Sequence, residues 1–265
     1  MKQFFIKFSL FILRLFPPEF SSFVSLNILN LGFLLKNKFS TNRENKNAAP
    51  CLKIEELEFR NPLGLAAGLD KEGKYFNSLG SLGFGFIEVG TFTPKPQKGN
   101  SFPRIKRLLR DKSLINRLGF NNPGIDKAVL NIKKLKNSSS PILGISIGKN
   151  KDTSLENAYK DYLFCLKKVY PLADYIAVNI SSPNTKDLRK LSSSDYFEDL
   201  VGEIGQYHHE LAENFKKKTP IFLKLSPDEK DENLSRIVSS SISNGFAGFI
   251  VSNTAMSEAK GIKGG

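Results

Sequence analysis

YIAVNISSPNT, residues 175–185, changes within a few positions from an apolar run to a run of amides and hydroxyls. Residues 175–178 predict a short buried strand, and residues 179–185 predict the loop at its carboxyl end. Asn, Ser and Pro favour turns, so an ordinary strand-to-helix turn is one interpretation of this loop. A ligand-binding loop is the other, and the rest of the chain has to distinguish them.

Short apolar segments of the same kind recur along the chain, with amphipathic segments between them. The predicted strands are 63–68, 86–90, 142–147, 175–179, 221–225 and 246–252, after a half-buried hairpin at 52–59. The predicted helices are 74–82, 124–135, 154–170, 195–215 and 231–242, the third opened by a capping box at 153–156. Alternating strands and helices predict parallel strands, in either an open doubly wound sheet or a (β/α)8 barrel.

Polar residues and glycine at the ends of successive strands favour the barrel. They are Gly68 and Lys71, Thr91, Ser146, Asn179 to Asn184, Lys224, and Ser252 to Thr254. Barrel enzymes draw site residues from many strand ends, whereas an open sheet needs them only beside its switch point. We therefore predict an α/β fold, a (β/α)8 TIM barrel with about six of its eight units present, after an N-terminal helical extension.

The first residues predict two short helices separated by Pro17 and Pro18. Residues 4–16 are apolar except for Lys7 and Arg14, which share one helical face, and residues 24–35 carry a second apolar face. Neither run has the ~20 uninterrupted apolar residues of a transmembrane helix. An interfacial helix pair is favoured, with ordinary docking helices or a signal peptide as alternatives. Because residues 37–50 resemble a linker, the predicted domains are 1–45, the extension, and 46–265, the barrel.

Composition restricts the possible partners. The 265 residues are 40% hydrophobic and carry a formal net charge of +13, but without a nucleic-acid-binding motif the lysines predict a solvated surface and no nucleic-acid partner. Cys51 and Cys165 form no CxxC or Cys/His cluster, which predicts no metal and a reducing cytoplasm. His208 and His209 are expected to be exposed helix residues.

Seven motifs, in order, closely resemble the dihydroorotate dehydrogenases, and specifically the quinone-linked class 2 enzymes. They are NPLGLAAGLDKEG (61–73), GFIEVGTFTPKPQKGN (85–100), INRLGFNNPG (115–124), GISIGKNKDT (144–153), NISSPNT (179–185), LKLSPD (223–228) and SNT (252–254). The resemblance runs from about residue 52 to the last residue. It implies a flavoprotein oxidoreductase of pyrimidine biosynthesis that converts (S)-dihydroorotate to orotate with FMN.

The resemblance also implies where the electrons go. A membrane quinone would approach the flavin through the helical extension, with residues 1–36 on the membrane surface. The expected location is peripheral, on the cytoplasmic side of a bacterial-type inner membrane. Class 1 enzymes carry cysteine at the base position, so serine at this position, together with the extension, favours quinone over fumarate or NAD.

The resemblance assigns Ser182 as the catalytic base that removes the C5 proton while the C6 hydride passes to FMN. A serine hydroxyl is a poor base and needs a relay, which Thr185 and Phe120 would shape as a water path. The implied substrate-binding residues are Lys71, Asn116, Arg117, Leu118, Gly119, Phe120, Asn179, Asn184, Asn253 and Thr254. The implied cofactor-binding residues are Ala67, Gly68, Leu69, Asp70, Lys71, Thr91, Ser146, Asn179, Lys224 and Ser252.

Physical arguments accompany these roles. Asparagine amides match the alternating donors and acceptors of the orotate ring, and Lys71 and Lys224 place positive charge where the flavin gains negative charge. Gly68 lets the backbone approach the flavin face. Ser146 stands where the family usually has Asn, and Ser252 where it has Thr. We expect weakened or water-bridged flavin contact at Ser146.

The chain ends in GIKGG after six predicted strands, where the family continues through two further units that carry the FMN phosphate loops. We therefore expect a truncated or partial form that binds FMN poorly and is inactive. Alternatives are another FMN barrel, such as a dihydropyrimidine dehydrogenase domain or a tRNA dihydrouridine synthase, and a catalytically silent membrane-bound scaffold. The dihydropyrimidine dehydrogenase domain and the tRNA dihydrouridine synthase are both expected to use cysteine where this chain has Ser182.

Overall fold

The computed structural model of the protein describes residues 2–39, 52–185, 187–259 and 262–265. Most of the predicted linker, and Cys51, lie outside the described residues. Within them, the chain forms a parallel sheet with helices on its connections, preceded by a pair of N-terminal helices.

Six parallel strands form the sheet, and they are arranged in the order in which they occur along the chain. They are β3 (Gly64–Leu65), β4 (Phe86–Phe92), β7 (Ile142–Ile147), β8 (Tyr175–Asn179), β9 (Ile221–Lys224) and β10 (Gly248–Ile250). A doubly wound sheet would reverse its strand order at a switch point, whereas a barrel wall keeps chain order. The predicted barrel architecture is confirmed, and the register pairs Asn179 with Lys224, so that neighbouring carboxyl ends meet at one edge.

Helices connect these strands and cover the sheet. They are α3 (Phe76–Gly80), α4 (Ile125–Leu135), α5 (Ala158–Val169), the 3-10 helix Leu188–Ser193, α6 (Tyr196–Phe215) and α7 (Asp231–Ser243). Their buried positions follow helical spacing, as with Ile125, Ala128, Val129 and Ile132 of α4. The fully buried strand residues, such as Ile145 and Ile176, complete one continuous core.

Three hairpins accompany the sheet. They are β1 (Leu52–Ile54) with β2 (Leu57–Phe59), β5 (Ile105–Leu108) with β6 (Ser113–Asn116), and β11 (Ser257–Ala259) with β12 (Ile262–Gly264). The first was predicted from the alternation of residues 52–59. The other two were not, because basic residues and glycine obscure their short apolar patterns.

The two predicted N-terminal helices are present as α1 (Lys2–Arg14) and α2 (Pro18–Phe39). Glu19 of α2 forms an ion pair with Arg104, with Nη2 and Oε2 2.6 Å apart. Arg107 of β5 donates from Nη1 to the carbonyl oxygens of Arg14 and Phe16, at 3.1 and 2.8 Å. The pair is therefore fixed to the barrel through the turn that joins its helices. Among the described helices, none is long and apolar enough to cross a membrane.

Two local predictions were wrong. His208 is buried, and its Nε2 lies 2.8 Å from the carbonyl oxygen of Thr219, because it shares the apolar face of α6 with Ile204 and Leu211. Desolvation is the main reason that its pKa is lowered. The capping box at 153–156 does not open α5, which begins at Ala158; the Thr153 hydroxyl instead donates to Asp161 at 2.7 Å.

Candidate active site

Asn179, the last residue of β8, joins three strand ends. Its Nδ2 donates to the Thr91 hydroxyl at the end of β4 at 2.8 Å, and that hydroxyl is hydrogen-bonded to Ser146 of β7 at 2.9 Å. Its Oδ1 accepts from the backbone N–H and the hydroxyl of Ser181, at 3.1 and 3.0 Å. All four side chains are buried. Residues 179–185 are therefore built into the sheet edge rather than forming a free surface turn.

Ser182 lies on the loop that Asn179 supports. Its side chain is buried, and its Oγ accepts from the backbone N–H of Asn184 at 3.3 Å. The nearby Thr185 hydroxyl oxygen is also buried and has no hydrogen-bond partner among the described residues. Buried hydroxyls are usually satisfied, so an unpaired one suits a water molecule or a ligand. Thr185 therefore offers an unsatisfied hydroxyl on the same loop as Ser182.

Amides from three loops converge beside Ser182. Asn184 donates from Nδ2 to Asn116 Oδ1 at 3.1 Å, and Asn253 donates from Nδ2 to Ser181 Oγ at 3.1 Å. The backbone N–H and the side-chain Nδ2 of Asn116 both donate to the Gly265 carbonyl oxygen, at 2.7 and 3.0 Å. The structure therefore brings together the predicted ring-binding amides, with the segment 262–265 lying over them.

The loop 116–120 contributes its backbone at the same place. Phe120 adopts a φ of +53°, which is uncommon outside glycine, and its side chain is buried. Asn100 holds this loop, since its Nδ2 donates to the carbonyl oxygens of Arg117 and Asn184, at 3.0 and 3.2 Å. Asn100, which was not among the predicted site residues, therefore fixes the position of this loop.

The other side of the site is built from the residues after β3. Gly68 has a φ of +115°, and apart from its two chain neighbours no heavy atom of the described residues lies within 4 Å of where a Cβ would be. Asp70 is buried, and its carboxylate accepts from the backbone N–H groups of Glu72, Lys74 and Tyr75. Desolvation nonetheless raises the pKa of Asp70, because burial outweighs these bonds. The Asp70 carboxylate therefore organises the loop.

The two predicted lysines differ in environment. Lys224 is buried, with Nζ 3.2 Å from Glu88 Oε1, and the Tyr175 hydroxyl donates to Glu88 Oε2 at 3.2 Å. Lys71 Nζ donates to the Gly68 carbonyl oxygen at 2.7 Å. Burial lowers the pKa of Lys71 to about 8, against an opposing effect of Glu19. Glu88 was not among the predicted site residues. Its position inside an apolar strand could have indicated a buried ion pair.

Arg189 of the 3-10 helix was also missed, because it lies in a helix-like pattern with other charged residues. Its Nε donates to the Ser181 carbonyl oxygen at 3.0 Å and its Nη2 to the Thr254 carbonyl oxygen at 2.8 Å. Its Nη1 forms an ion pair with Asp228, which lowers the pKa of that carboxyl. One side chain thus ties together the loops after β8, β9 and β10.

Some predicted residues stand apart from this constellation. Leu69 and Ser252 are exposed, and the Ser252 hydroxyl donates to the Asn253 carbonyl oxygen at 3.0 Å. Within the described part of the chain, no group of three or more His, Cys, Asp and Glu residues could hold a metal ion. The open space beside Gly68, the hydroxyls of Thr91 and Ser146, and the Lys71 ammonium fit a flat ring with polar edges.

Comparisons with known proteins agree on one family. The profile of the family described as "Dihydroorotate dehydrogenase" matches residues 50–264. A "Dihydroorotate dehydrogenase (quinone)" of Aliivibrio fischeri is 47% identical over 214 residues, covering 81% of this chain and 63% of that relative. A protein of the same name from Vibrio parahaemolyticus is 50% identical over 200 residues, covering 76% of this chain and 59% of that relative. The chain therefore spans about three fifths of the length of these relatives.

A solved structure shows the same fold. DHODH from Eimeria tenella, crystallised in complex with ferulenol, superposes with a TM-score of 0.78 at 34% identity, and the match covers 92% of this chain and 68% of that one. The ligand-free enzyme from the same organism gives a TM-score of 0.75 at 35% identity. Because the match covers 92% of this chain, the likeness is not confined to the sheet.

The lowered pKa of Lys71 predicts a pH-dependent stability. Between pH 8 and 10.5 the unfolded chain binds a proton at Lys71 that the folded chain has released, so this lysine destabilises the fold most below pH 8 and progressively less above it. We expect Lys71→Met to raise the free energy of unfolding relative to wild type at pH 7, with the difference shrinking toward pH 10. Urea unfolding at pH 7, 8, 9 and 10 measures this.

Lys74→Met is the matched control, because a hydrogen bond to Glu72 raises the pKa of Lys74 in the folded chain and the ordinary lysine pKa of 10.5 keeps it mostly protonated in the unfolded chain over this range. Its effect on the free energy of unfolding should not change with pH. A Lys71→Met difference that is equally flat from pH 7 to 10 would show that the ammonium is not destabilised by burial.

The contacts of Arg189 predict a local effect on two loops. Arg189→Ala removes hydrogen bonds from a charged donor, each worth roughly 1.5–3 kcal/mol, so amides in residues 180–184 and 252–256 should exchange at least about tenfold faster. Hydrogen exchange followed by mass spectrometry measures this. Arg236→Ala is the control, since Arg236 donates to the Ser192 carbonyl oxygen and to Glu198 instead. Equal exchange of the two loops in both variants would disprove the role of Arg189.

Proposed function

The chain belongs to the dihydroorotate dehydrogenase family, and on that basis we propose that it oxidises (S)-dihydroorotate to orotate, with FMN as cofactor and a membrane quinone as electron acceptor. The observation that carries this proposal is the placement of Ser182, a buried hydroxyl beside convergent amides and the unpaired hydroxyl of Thr185. Dehydrogenation of the ring needs a group that accepts a proton at one carbon while a hydride leaves the next.

The proton step falls to Ser182. Forming the C5=C6 double bond of orotate releases a proton from C5 and a hydride from C6, and bound FMN would supply the hydride acceptor. Ser182 takes the C5 proton as its own hydroxyl proton passes on to a second acceptor, since a serine oxygen does not hold two protons at neutral pH. The unpaired Thr185 hydroxyl and the buried Phe120 ring border the route that this proton would follow.

The substrate is recognised by amides and one cation. Each side-chain amide of Asn116, Asn179, Asn184 and Asn253 uses one of its two N–H donors within the protein, which leaves the other for the edges of the ring, and the ammonium of Lys71 would attract its carboxylate. The Asn184–Asn116 and Asn253–Ser181 hydrogen bonds pre-organise these amides. An analogue that lacks the ring N–H or carbonyl groups would leave buried amides unpaired, which gives selectivity.

The flavin would lie on the opposite wall of the site. The backbone of Ala67 and Gly68 gives it a surface without a side chain on its face, and Thr91, Ser146, Asn179 and Lys224 give it polar partners. The Ser146 hydroxyl already bonds Thr91, so in place of the family's usual Asn it supplies a shorter group with fewer hydrogen bonds.

The helices α1 and α2 would place the protein on a membrane. Their exposed large apolar side chains include Phe11, which is 59% exposed, and Phe23 at 62%, and Leu15 in the turn between them is 67% exposed. An apolar surface with Lys7 and Arg14 beside it suits an anionic lipid surface on the cytoplasmic side of a bacterial-type inner membrane. In this proposal residues 1–45 form the quinone-access extension and residues 46–265 the flavin barrel, joined by the Glu19–Arg104 ion pair.

Other FMN barrels with a cysteine base are disfavoured. Cys165 is fully buried in α5, and desolvation raises the pKa of its thiol well above the usual value, so it is not a base at the strand ends. A tRNA dihydrouridine synthase or a dihydropyrimidine dehydrogenase domain would also be expected to match its own family. The matches to the quinone-linked relatives support the dehydrogenase instead.

The direct test is turnover by the 265-residue chain supplied with FMN, dihydroorotate and a soluble quinone analogue. In contrast to the inactive form expected from the sequence, the proposed function predicts orotate formation coupled to quinone reduction, with a loss of about 10²–10⁴-fold in kcat for Ser182→Ala, the usual contribution of a general base. Ser193→Ala, on the exposed part of the 3-10 helix, should retain wild-type kcat.

Flavin content of each variant is measured by absorbance, so that a loss of FMN is not mistaken for a loss of the base. A wild-type chain that holds FMN but forms no orotate would contradict the proposed function. So would a Ser182→Ala chain with full activity.

A further inference from the structure

The β5–β6 hairpin presents apolar and basic side chains together at its tip. Leu109, in the turn, is 72% exposed, and Leu114, on β6, is 62% exposed. Arg110 and Lys112 are exposed beside them, and Asp111 is the one acidic residue between positions 105 and 116. Single exposed apolar residues are normal on a protein surface. Here two exposed leucines and two exposed cations occur together in one hairpin.

This tip continues the surface of the N-terminal helices. Arg107 and Leu114 are paired across the hairpin, so their side chains lie on the same face. Arg107 donates to the carbonyl oxygens of Arg14 and Phe16, at the turn between α1 and α2. Leu15 in that turn is 67% exposed. Leu114 therefore lies on the hairpin face that contacts the turn of the helix pair, where Leu15 is exposed.

The chemistry of this combined surface fits an anionic lipid bilayer. Leucine side chains enter the boundary between head groups and acyl chains, while arginine and lysine bind phosphate groups above it. Each cation near an anionic surface raises the binding constant by about fivefold at low salt. The acidic residue nearest the turn, Glu19, is already paired with Arg104, so it does not oppose this attraction strongly.

We propose that the β5–β6 hairpin is a second membrane contact, in which Leu109 and Leu114 enter the bilayer interface and Arg110 and Lys112 bind anionic phospholipid head groups. The inference rests on the proposed function, in which α1 and α2 lie on the membrane. Two membrane contacts would fix the orientation of the protein on the bilayer, whereas the helix pair alone would leave the protein free to rotate. Because β6 ends at Asn116, the hairpin also connects the bilayer to the substrate loop.

The test is sedimentation of the full chain with vesicles of phosphatidylcholine alone, and with about one third phosphatidylglycerol. We expect binding to the mixed vesicles that weakens in high salt. The double variant Arg110→Glu/Lys112→Glu should lower the partition constant at least about 25-fold, since two favourable charges are replaced by repulsive ones. Leu109→Ser/Leu114→Ser should weaken binding to both kinds of vesicle.

Lys133→Glu/Lys134→Glu, on the exposed end of α4, is the control, because it changes net charge equally at a distant surface. It should change the partition constant less than about threefold. An equal loss of vesicle binding in both charge variants would show that net charge alone causes the effect, and it would overturn the proposal. Circular dichroism verifies that each variant is folded.

Phe11→Ser/Leu15→Ser separates this inference from the proposed function. If the helix variant loses binding while both hairpin variants bind like wild type, the hairpin proposal fails and the membrane role of the helices stands. If the hairpin variants lose binding and the helix variant does not, the hairpin is a membrane contact and the role assigned to the helices is wrong. A wild-type chain that binds neither vesicle would contradict both.

Discussion

The hydrogen bond from Asn179 to Thr91 joins two strand ends that are 88 residues apart in sequence, and the site depends on it. Parallel strands in chain order place the ends of β4, β7 and β8 side by side, and the amide then fixes their polar groups relative to one another. Tyr162 of α5 adds to this by donating to the Asn179 carbonyl oxygen at 2.9 Å. The loop that carries Ser182 thus starts from a buried residue that is held by both its side chain and its carbonyl oxygen.

The two lysines of the site, Lys224 and Lys71, differ in how their positive charge is compensated. Lys224 is paired with Glu88 inside the sheet, so its charge is compensated locally. Lys71 bonds a carbonyl oxygen, and its pKa responds to burial first, then to Glu19 and Arg104. Glu19 of α2 raises the pKa of Lys71 and its ion-pair partner Arg104 lowers it, so these two effects oppose each other and burial remains the main cause of the shift.

Much of this arrangement followed from sequence. Apolar strand segments that end in Asn, Ser, Thr or Lys predicted the barrel and the residues at its edge, because strand alternation fixes which ends meet. The sequence could not predict Arg189, Asn100 or Glu88, since each acts through contacts between segments distant in the chain. His208 was misjudged because its environment is set by the packing of α6 and not by its neighbours in sequence. The β5–β6 hairpin escaped prediction because its exposed leucines and cations do not alternate as a half-buried strand does.

The central claim is that orotate and FMN bind against each other between the Gly68 backbone and the amides around Ser182. The most direct measurement is the absorbance spectrum of FMN bound to the full chain during titration with orotate. We expect a saturable shift of the flavin band that is lost in Asn253→Ala, because in the proposed site the ring lies directly against the flavin. Bound FMN whose spectrum does not change with orotate, in wild type and variant alike, would contradict it.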